Sequence, residues 1–213
     1  MQVKFMEDQS GGLIYPQIES MGAHSPSPDS DLRHNGHVSA PLVFTGIFSA
    51  QECDAIIDYG SRQILNVGRM MYGRRGVRRS RIAWLTYRAD TGWLYDKIWH
   101  TFQAVNRWFD FNLLGLVDEL QYATYESGDN FDWHLDTGGG QTSTRKISMS
   151  VQLSEGANYA GGDLEFSGCS DLEPRRRRGT IIAFPSFLSH RVTPVTFGKR
   201  TSLVAWAHGP VFR

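Results

Sequence analysis

A mainly β domain of the α+β kind, a sandwich or barrel with two helices packed on one sheet, is expected from three features of this chain. Period-two alternation of apolar and polar residues runs through seven short segments after residue 117, each parted from the next by turn residues. Two stretches upstream carry apolar residues at steps of three and four instead. With 213 residues, 40% of them hydrophobic, the chain can build one good core and is too short for two full domains.

Residues 1–39 read as a polar arm that packs over the domain without a core of its own. GAHSPSPDSDLRHNGH is rich in turn formers, and its His24, His34 and His37 are expected to be solvated. The domain is placed at 40–213. PLVFTGIF reads as a strand and turn. In SAQECDAIIDYG, Ser49 and Glu52 have capping-box spacing, and Cys53, Ile56 and Ile57 share a helical face. A second helix is expected over 91–109, where Leu94, Ile98, Phe102, Val105 and Phe109 form the packing face.

The strands follow as DELQYATYE, FDWHLDT, RKISMSVQLS, GGDLEF, GTIIAFP, HRVTPVT and RTSLVAWAH. In RKISMSVQLS, Ile147, Met149, Val151 and Leu153 face one way and Ser148, Ser150 and Gln152 the other. The RRRR run at 175–178 reads as a solvated basic hairpin tip, with an interaction patch as the alternative. No internal repeat is visible.

Lys plus Arg and Asp plus Glu balance at 22 each, so bulk charge points to neither nucleic acid nor membrane. Cys53 and Cys169 lack metal-type spacing and make no disulfide framework, in keeping with a reducing compartment. No window is long and apolar enough for a span, and MQVKFMEDQS does not resemble a secretory leader. A cytoplasmic protein is expected.

Chemistry enters with FDWHLDTGGG. On a strand, residues i and i+2 share a side, so His134 and Asp136 can reach one ion while Trp133 and Leu135 pack opposite. The triplet alone is common by chance. It gains meaning from His190, after the apolar strand GTIIAFP, and from Arg200, ten residues further on. Two histidines and a carboxylate are the ligands of a ferrous facial triad, which leaves three coordination sites: two for an α-keto acid and one for dioxygen. An arginine inside an apolar strand needs an anion, and the far carboxylate of 2-oxoglutarate suits Arg200. The alternative for Arg200 is a surface salt bridge at the Gly198-Lys199 turn. Ser202, Val204 and Trp206 share its side by parity, and Tyr125 offers a hydroxyl to the same carboxylate. Gln121, Gln152 and Trp206 are expected to line the pocket.

The segments YESGDNFDWHLD, RKISMSVQLSEGANYAGGDLEF and FPSFLSHRVTPVTFGKR resemble the iron- and 2-oxoglutarate-dependent dioxygenases, within them the prolyl 4-hydroxylase-like group and the bacterial PKHD-type hydroxylases. The resemblance covers roughly residues 40–208. It implies a double-stranded β-helix (jelly-roll), with Fe(II), 2-oxoglutarate and O2, and ascorbate in support. By that likeness His134, Asp136 and His190 bind iron and Arg200 binds the C5 carboxylate, assisted by Tyr125; Ser202, on the Arg200 side by parity, is counted with the 2-oxoglutarate-binding residues. Gln152 stands where some relatives place a tyrosine or a basic residue. Related halogenases carry a small residue at the Asp136 position, so a carboxylate there implies hydroxylation. In prolyl hydroxylase-like folds the region of GRMMYGRRGVRRSRIAWL is a mobile loop at the pocket mouth. It holds six arginines in fourteen positions, and Arg74 and Arg78 are its candidates for gripping a carboxylate-bearing substrate; the alternative is a solvated basic loop.

The function expected is hydroxylation of an unactivated C–H of an amino acid, free, carrier-bound or peptidyl, with 2-oxoglutarate decarboxylated to succinate. Two alternatives stay open: a biosynthetic oxygenase on another small molecule, and a cupin-like jelly-roll that binds without turnover. RNA or ribosome contact is secondary, given the neutral net charge. A metal other than iron in a purified sample is compatible with the same ligands.

Overall fold

Alternation of side chains across each strand leaves two apolar faces to cover, and the chain covers them with a second sheet and two helices. A computed structural model describes residues 3–4, 6–7, 13–14, 36–63, 66–67, 78–169 and 175–212. Its strands are β1 (Val3–Lys4), β2 (Met6–Glu7), β3 (Leu13–Ile14), β4 (Leu42–Thr45), β5 (Asn66–Val67), β6 (Arg78–Arg79), β7 (Arg81–Leu85), β8 (Leu120–Glu126), β9 (Asn130–His134), β10 (Arg145–Gln152), β11 (Tyr159–Gly161), β12 (Leu164–Phe166), β13 (Ile181–Pro185), β14 (His190–Val192) and β15 (Val195–His208). The helices are α1 (Ala50–Ser61) and α2 (Gly92–Phe109).

The major sheet runs β1-β4-β13-β10-β15-β8-β7-β5, with β11 also paired to β15; the minor sheet runs β12-β14-β9-β6. Pairing is antiparallel except between β1 and β4. β2 and β3 pair with each other. This is the double-stranded β-helix. Among the described residues, no helix is long and apolar enough to cross a membrane.

One core lies between the helices and the major sheet. Cys53 and Ile56 of α1 and Leu94, Ile98, Phe102, Val105 and Phe109 of α2 pack on Ile147, Met149, Val151, Leu203 and Ala205. α1 starts at the expected capping box, Ser49 with Glu52. It approaches the sheet closely because Gly60 has no Cβ: one placed there would lie 2.5 Å from the Tyr122 ring. The second core lies between the sheets. It joins Tyr125, Ile182 and Phe184 of the major sheet to Leu164, Phe166 and Val192 of the minor one. Trp133, expected to pack behind the histidine, is 41% exposed on the outer side of the minor sheet; Leu135, expected to pack with it, lies past the end of β9 and is 47% exposed where it lines the cavity between the sheets.

The strand boundaries differ from expectation in several places. Arg78–Arg79 and Arg81–Leu85 of the segment read as a loop are the strands β6 and β7, and HRVTPVT is divided between β14 and β15. RTSLVAWAH is the second half of a 14-residue strand, and Gly198 lies within it rather than in a turn. There Gly198 adopts φ +72, and a Cβ would meet the Asn158 carbonyl at 2.1 Å, so glycine admits the crossing of β11. β11 itself, with only three residues, carries no readable alternation.

The arginine run also departs from a solvated tip. Arg176 grips both oxygens of Asp163 at 2.8 Å each and donates to the carbonyls of Gly161 and Tyr159. Arg178 donates to the Leu153 carbonyl and pairs with Asp54, while Arg177 is exposed. Arg176 therefore ties the β11–β12 connection, and Arg178 ties α1, to the chain leaving β10 and the sheet edge. His24, His34 and Arg74 fall outside the described residues, and only the backbone is described at His37.

Candidate active site

β9 and β14 are neighbours in the minor sheet, and their pairing sets His134 directly opposite His190. The register shifts between His190 and Val192, so Phe131 and His134, which simple parity would separate, both face inward. Asp136 lies just past the end of β9. Its backbone N–H donates to the Ser186 carbonyl at 3.0 Å, and its own carbonyl accepts from Arg145 at 3.2 Å.

The three side chains converge. His134 Nε2 is 3.8 Å from Asp136 Oδ1, and His190 Nε2 is 3.6 Å from Asp136 Oδ2. One ligand atom from each residue lies within 4.8 Å of the others. Both imidazoles donate Nδ1–H to a backbone carbonyl two residues back at 2.8 Å, His134 to Asp132 and His190 to Leu188. A carbonyl only accepts, so Nδ1 carries the proton in each ring and the Nε2 lone pairs point into the site. Phe131 stacks on His134 at 3.5 Å, and Phe184 meets His190 edge-on.

Protonation follows from this packing. Burial, aided by the charge of His190, pushes the His134 pKa down to about 4 against the pull of Asp136. At neutral pH His134 is thus a neutral ligand rather than an ion-pair partner. Burial works against charge on Asp136 too, but His190, His134, a Ser148 hydrogen bond and Arg145 outweigh it and hold the carboxyl below the usual range. The result is an ionised carboxylate beside two imidazole lone pairs, a donor set that fits a divalent transition ion.

A cavity of about 640 Å³ opens from this point between the sheets. Arg200, 4% exposed, lines it from the middle of β15. It pairs in register with Tyr125 of β8, over whose ring its guanidinium lies at 5.5 Å, and donates to Ser202 at 3.3 Å. Among the described residues no carboxylate lies within ion-pair distance of Arg200; Asp163 acts on it only from further away and is itself held by Arg176, so a buried cation faces the cavity without a directly paired counter-charge. That fits the free carboxylate of a diacid. Gln121 and Trp206 also line the cavity. Gln152 does not. Although it is on the same inward face, its amide donates to Tyr159 Oη and the Ser154 carbonyl. Arg78 reaches the wall from β6 and donates to Gln121 Oε1 at 2.9 Å.

Three residues were invisible to the sequence reading. Arg145 lines the cavity over the Trp206 ring at 3.9 Å, bound to Asp118 at 2.8 Å. A register shift between Arg145 and Ile147 moves it from the face that parity assigns. Asp118 in turn holds His208 at 3.0 Å. Ser148 was legible as part of a polar face and Asp136 as a candidate ligand, but the hydrogen bond between them was not.

Comparisons agree with this geometry. Residues 120–208 match the family described as the 2OG-Fe(II) oxygenase superfamily. A PKHD-type hydroxylase of Synechococcus sp. (strain CC9902) is 33% identical over 97 residues, 45% of this chain and 44% of the relative. The match thus spans less than half the length of that curated relative. Among solved structures, a Pseudomonas putida prolyl-4-hydroxylase superposes with TM-score 0.65 at 22% identity, over 82% of this chain and 94% of the other. A Trichoplax adhaerens prolyl hydroxylase, in complex with a hypoxia inducible factor peptide fragment, does so with TM-score 0.64 at 13% identity, over 80% and 84%. These two show the fold. The segment similar to the 2OG-Fe(II) oxygenase superfamily, about two fifths of the chain, carries His134, Asp136, His190 and Arg200 together.

Proposed function

We propose that this protein is an Fe(II)- and 2-oxoglutarate-dependent hydroxylase acting on an amino acid, free or within a peptide. The observation that carries the reading is the convergence of His134, Asp136 and His190 at one end of a cavity whose wall holds Arg200 without a contacting carboxylate. Ferrous iron held there would couple decarboxylation of 2-oxoglutarate to insertion of one oxygen atom of O2 into a substrate C–H, giving alcohol, succinate and CO2.

The chain's own residues supply position and environment. The Nδ1–H bonds to Asp132 and Leu188 hold both rings with Nε2 toward the site. Asp136 stays ionised and offsets part of the metal charge. Arg200 holds the far end of 2-oxoglutarate, with Tyr125 and Ser202 beside it. Phe131, Phe184, Leu164 and Val192 keep the space between the sheets apolar, which excludes water and strengthens the charge pairing.

Support for an amino-acid substrate comes from the PKHD-type and prolyl hydroxylase likenesses, and the peptide held by the Trichoplax neighbour favours a peptidyl one. Succinate release from 2-oxoglutarate with Fe(II) tests the activity, and a panel of amino acids and peptides read by mass for one added oxygen tests the substrate. Release by the wild type, lost in His134→Ala, is the expected result. A wild type that binds 2-oxoglutarate and never yields succinate is a non-catalytic jelly-roll.

A further inference from the structure

Charge bookkeeping around the cavity leaves one cation over. Its wall holds three guanidinium groups, Arg78, Arg145 and Arg200, and one carboxylate, Asp136. Asp118 neutralises Arg145. Under the proposed function, on which this inference rests, Asp136 answers the metal and 2-oxoglutarate answers Arg200. Arg78 keeps a full positive charge. Its recorded hydrogen bonds go to Ser80 Oγ at 2.7 Å and Gln121 Oε1 at 2.9 Å, both neutral acceptors, and among the described residues no carboxylate pairs with it.

Location matters as much as charge. Arg78 pairs in register with Phe131, and its guanidinium lies 4.7 Å from the centre of that ring. The same ring stacks on the metal-side face of the site, against His134 at 3.5 Å. One aromatic plate therefore links the spare cation to the ligand histidine. Nε and Nη2 are engaged, which leaves Nη1 and the second Nη2 proton for an incoming acceptor. Trp206 Nε1, buried in the same cavity wall with no partner among the described residues, adds another unanswered donor. A cavity of about 640 Å³ is in the range that takes a drug-sized ligand, and a small diacid fills only part of it.

We propose that Arg78, braced by Gln121 and Ser80 and laid on Phe131, is the anchor for a carboxylate on the substrate to be oxidised, so that the enzyme selects an acid: the α-carboxylate of a free amino acid or the side chain of an acidic residue in a peptide. Arg78 is a specificity residue, separate from the grip on 2-oxoglutarate. Substrates whose carboxylate is capped as an amide leave the guanidinium unanswered and are rejected.

The test is thermal stabilisation of the full chain held with Mn(II) and saturating 2-oxoglutarate. The probes are the free L-amino acids, their primary amides, and capped tetrapeptides containing Asp or Glu alongside the Asn or Gln counterparts. Acids are expected to raise the melting temperature where the matching amides do not. In Arg78→Gln the apparent Kd of a stabilising acid rises roughly 10–100-fold, and Arg78→Lys, which keeps the charge and loses the fork, falls between. A cooperative melt without probes shows that each variant is folded. Response to free amino acids alone assigns the α-carboxylate; response to acidic peptides alone assigns the side chain. The inference is overturned if amides bind as well as acids, if no acid stabilises the loaded wild type, or if Arg78→Gln keeps the wild-type response. Failure of 2-oxoglutarate itself to stabilise the wild type strikes instead at the oxygenase reading beneath it.

Discussion

His134 and His190 sit opposite each other across β9 and β14, and each donates Nδ1–H to the carbonyl two residues before it at 2.8 Å. This repeated arrangement turns both Nε2 atoms toward Asp136. The orientation of both candidate ligand rings is thus braced by the backbone.

Support behind the ligands is therefore the sensitive point. Ser148 hydrogen-bonds Asp136 and is itself paired with Ser186 at 2.9 Å. In Ser148→Ala the metal affinity is expected to fall roughly 10–100-fold with little change in melting temperature, as read by metal titration and calorimetry. Unchanged affinity would show that Asp136 needs no orienting partner.

Acid sensitivity follows from His134. Its folded pKa of about 4 lies below the ordinary 6.5, so between those values the unfolded chain binds more protons and stability rises with pH. Metal-free protein is expected to lose about 3 kcal/mol as pH drops through that window. The Asp136 contribution, also from a lowered pKa, is present above the ordinary carboxylate value and is lost only at still lower pH. Denaturant melts from pH 7 to pH 4 check this, with His134→Phe giving a flatter profile.

Arg200 and the metal ligands separate by experiment. Arg200→Gln removes charge-assisted bonds worth roughly 1.5–3 kcal/mol each, so 2-oxoglutarate binding should weaken roughly 10–100-fold. Metal affinity should hold, since the nearest recorded partners of Arg200 are Ser202 and Tyr125. Calorimetric titration of each ligand distinguishes the two effects.

The loop tie made by Arg176 gives a stability prediction remote from chemistry. Its two-pronged grip on Asp163, with bonds to the carbonyls of Gly161 and Tyr159, fixes the edge that β11 makes with β15. Arg176→Ala should cost about 1–3 kcal/mol in a denaturant melt and leave metal affinity as it was.

The sequence exposed a good deal of this, and its failures share a cause. Uniform strands obey parity, and β8, β10 and β15 place Gln121, Ser150 and Ser202 on the cavity side as alternation requires. Parity breaks where the register shifts. Arg145 and Phe131 both sit next to such shifts, and neither can be assigned a face from spacing alone. Arg176 and Arg178 were misread because a run of like charges looks solvated until the groups that receive them, Asp163 between β11 and β12 and Asp54 on α1, are brought near by the fold. The α2 face, by contrast, was readable in all five of its large apolar residues, with only the smaller Thr101 and Ala104 unread, because a helix against a sheet has no register to shift.

Anaerobic titration of Fe(II) into the protein with 2-oxoglutarate present, followed by the visible charge-transfer absorption of the iron chelate, is the most direct test of the central claim. One equivalent of absorption should develop in the wild type, vanish in Asp136→Ala, and require more 2-oxoglutarate in Arg200→Gln. A wild type that takes up iron without the band, or an Asp136→Ala variant that develops it fully, would contradict the placement of iron and 2-oxoglutarate at His134, Asp136, His190 and Arg200.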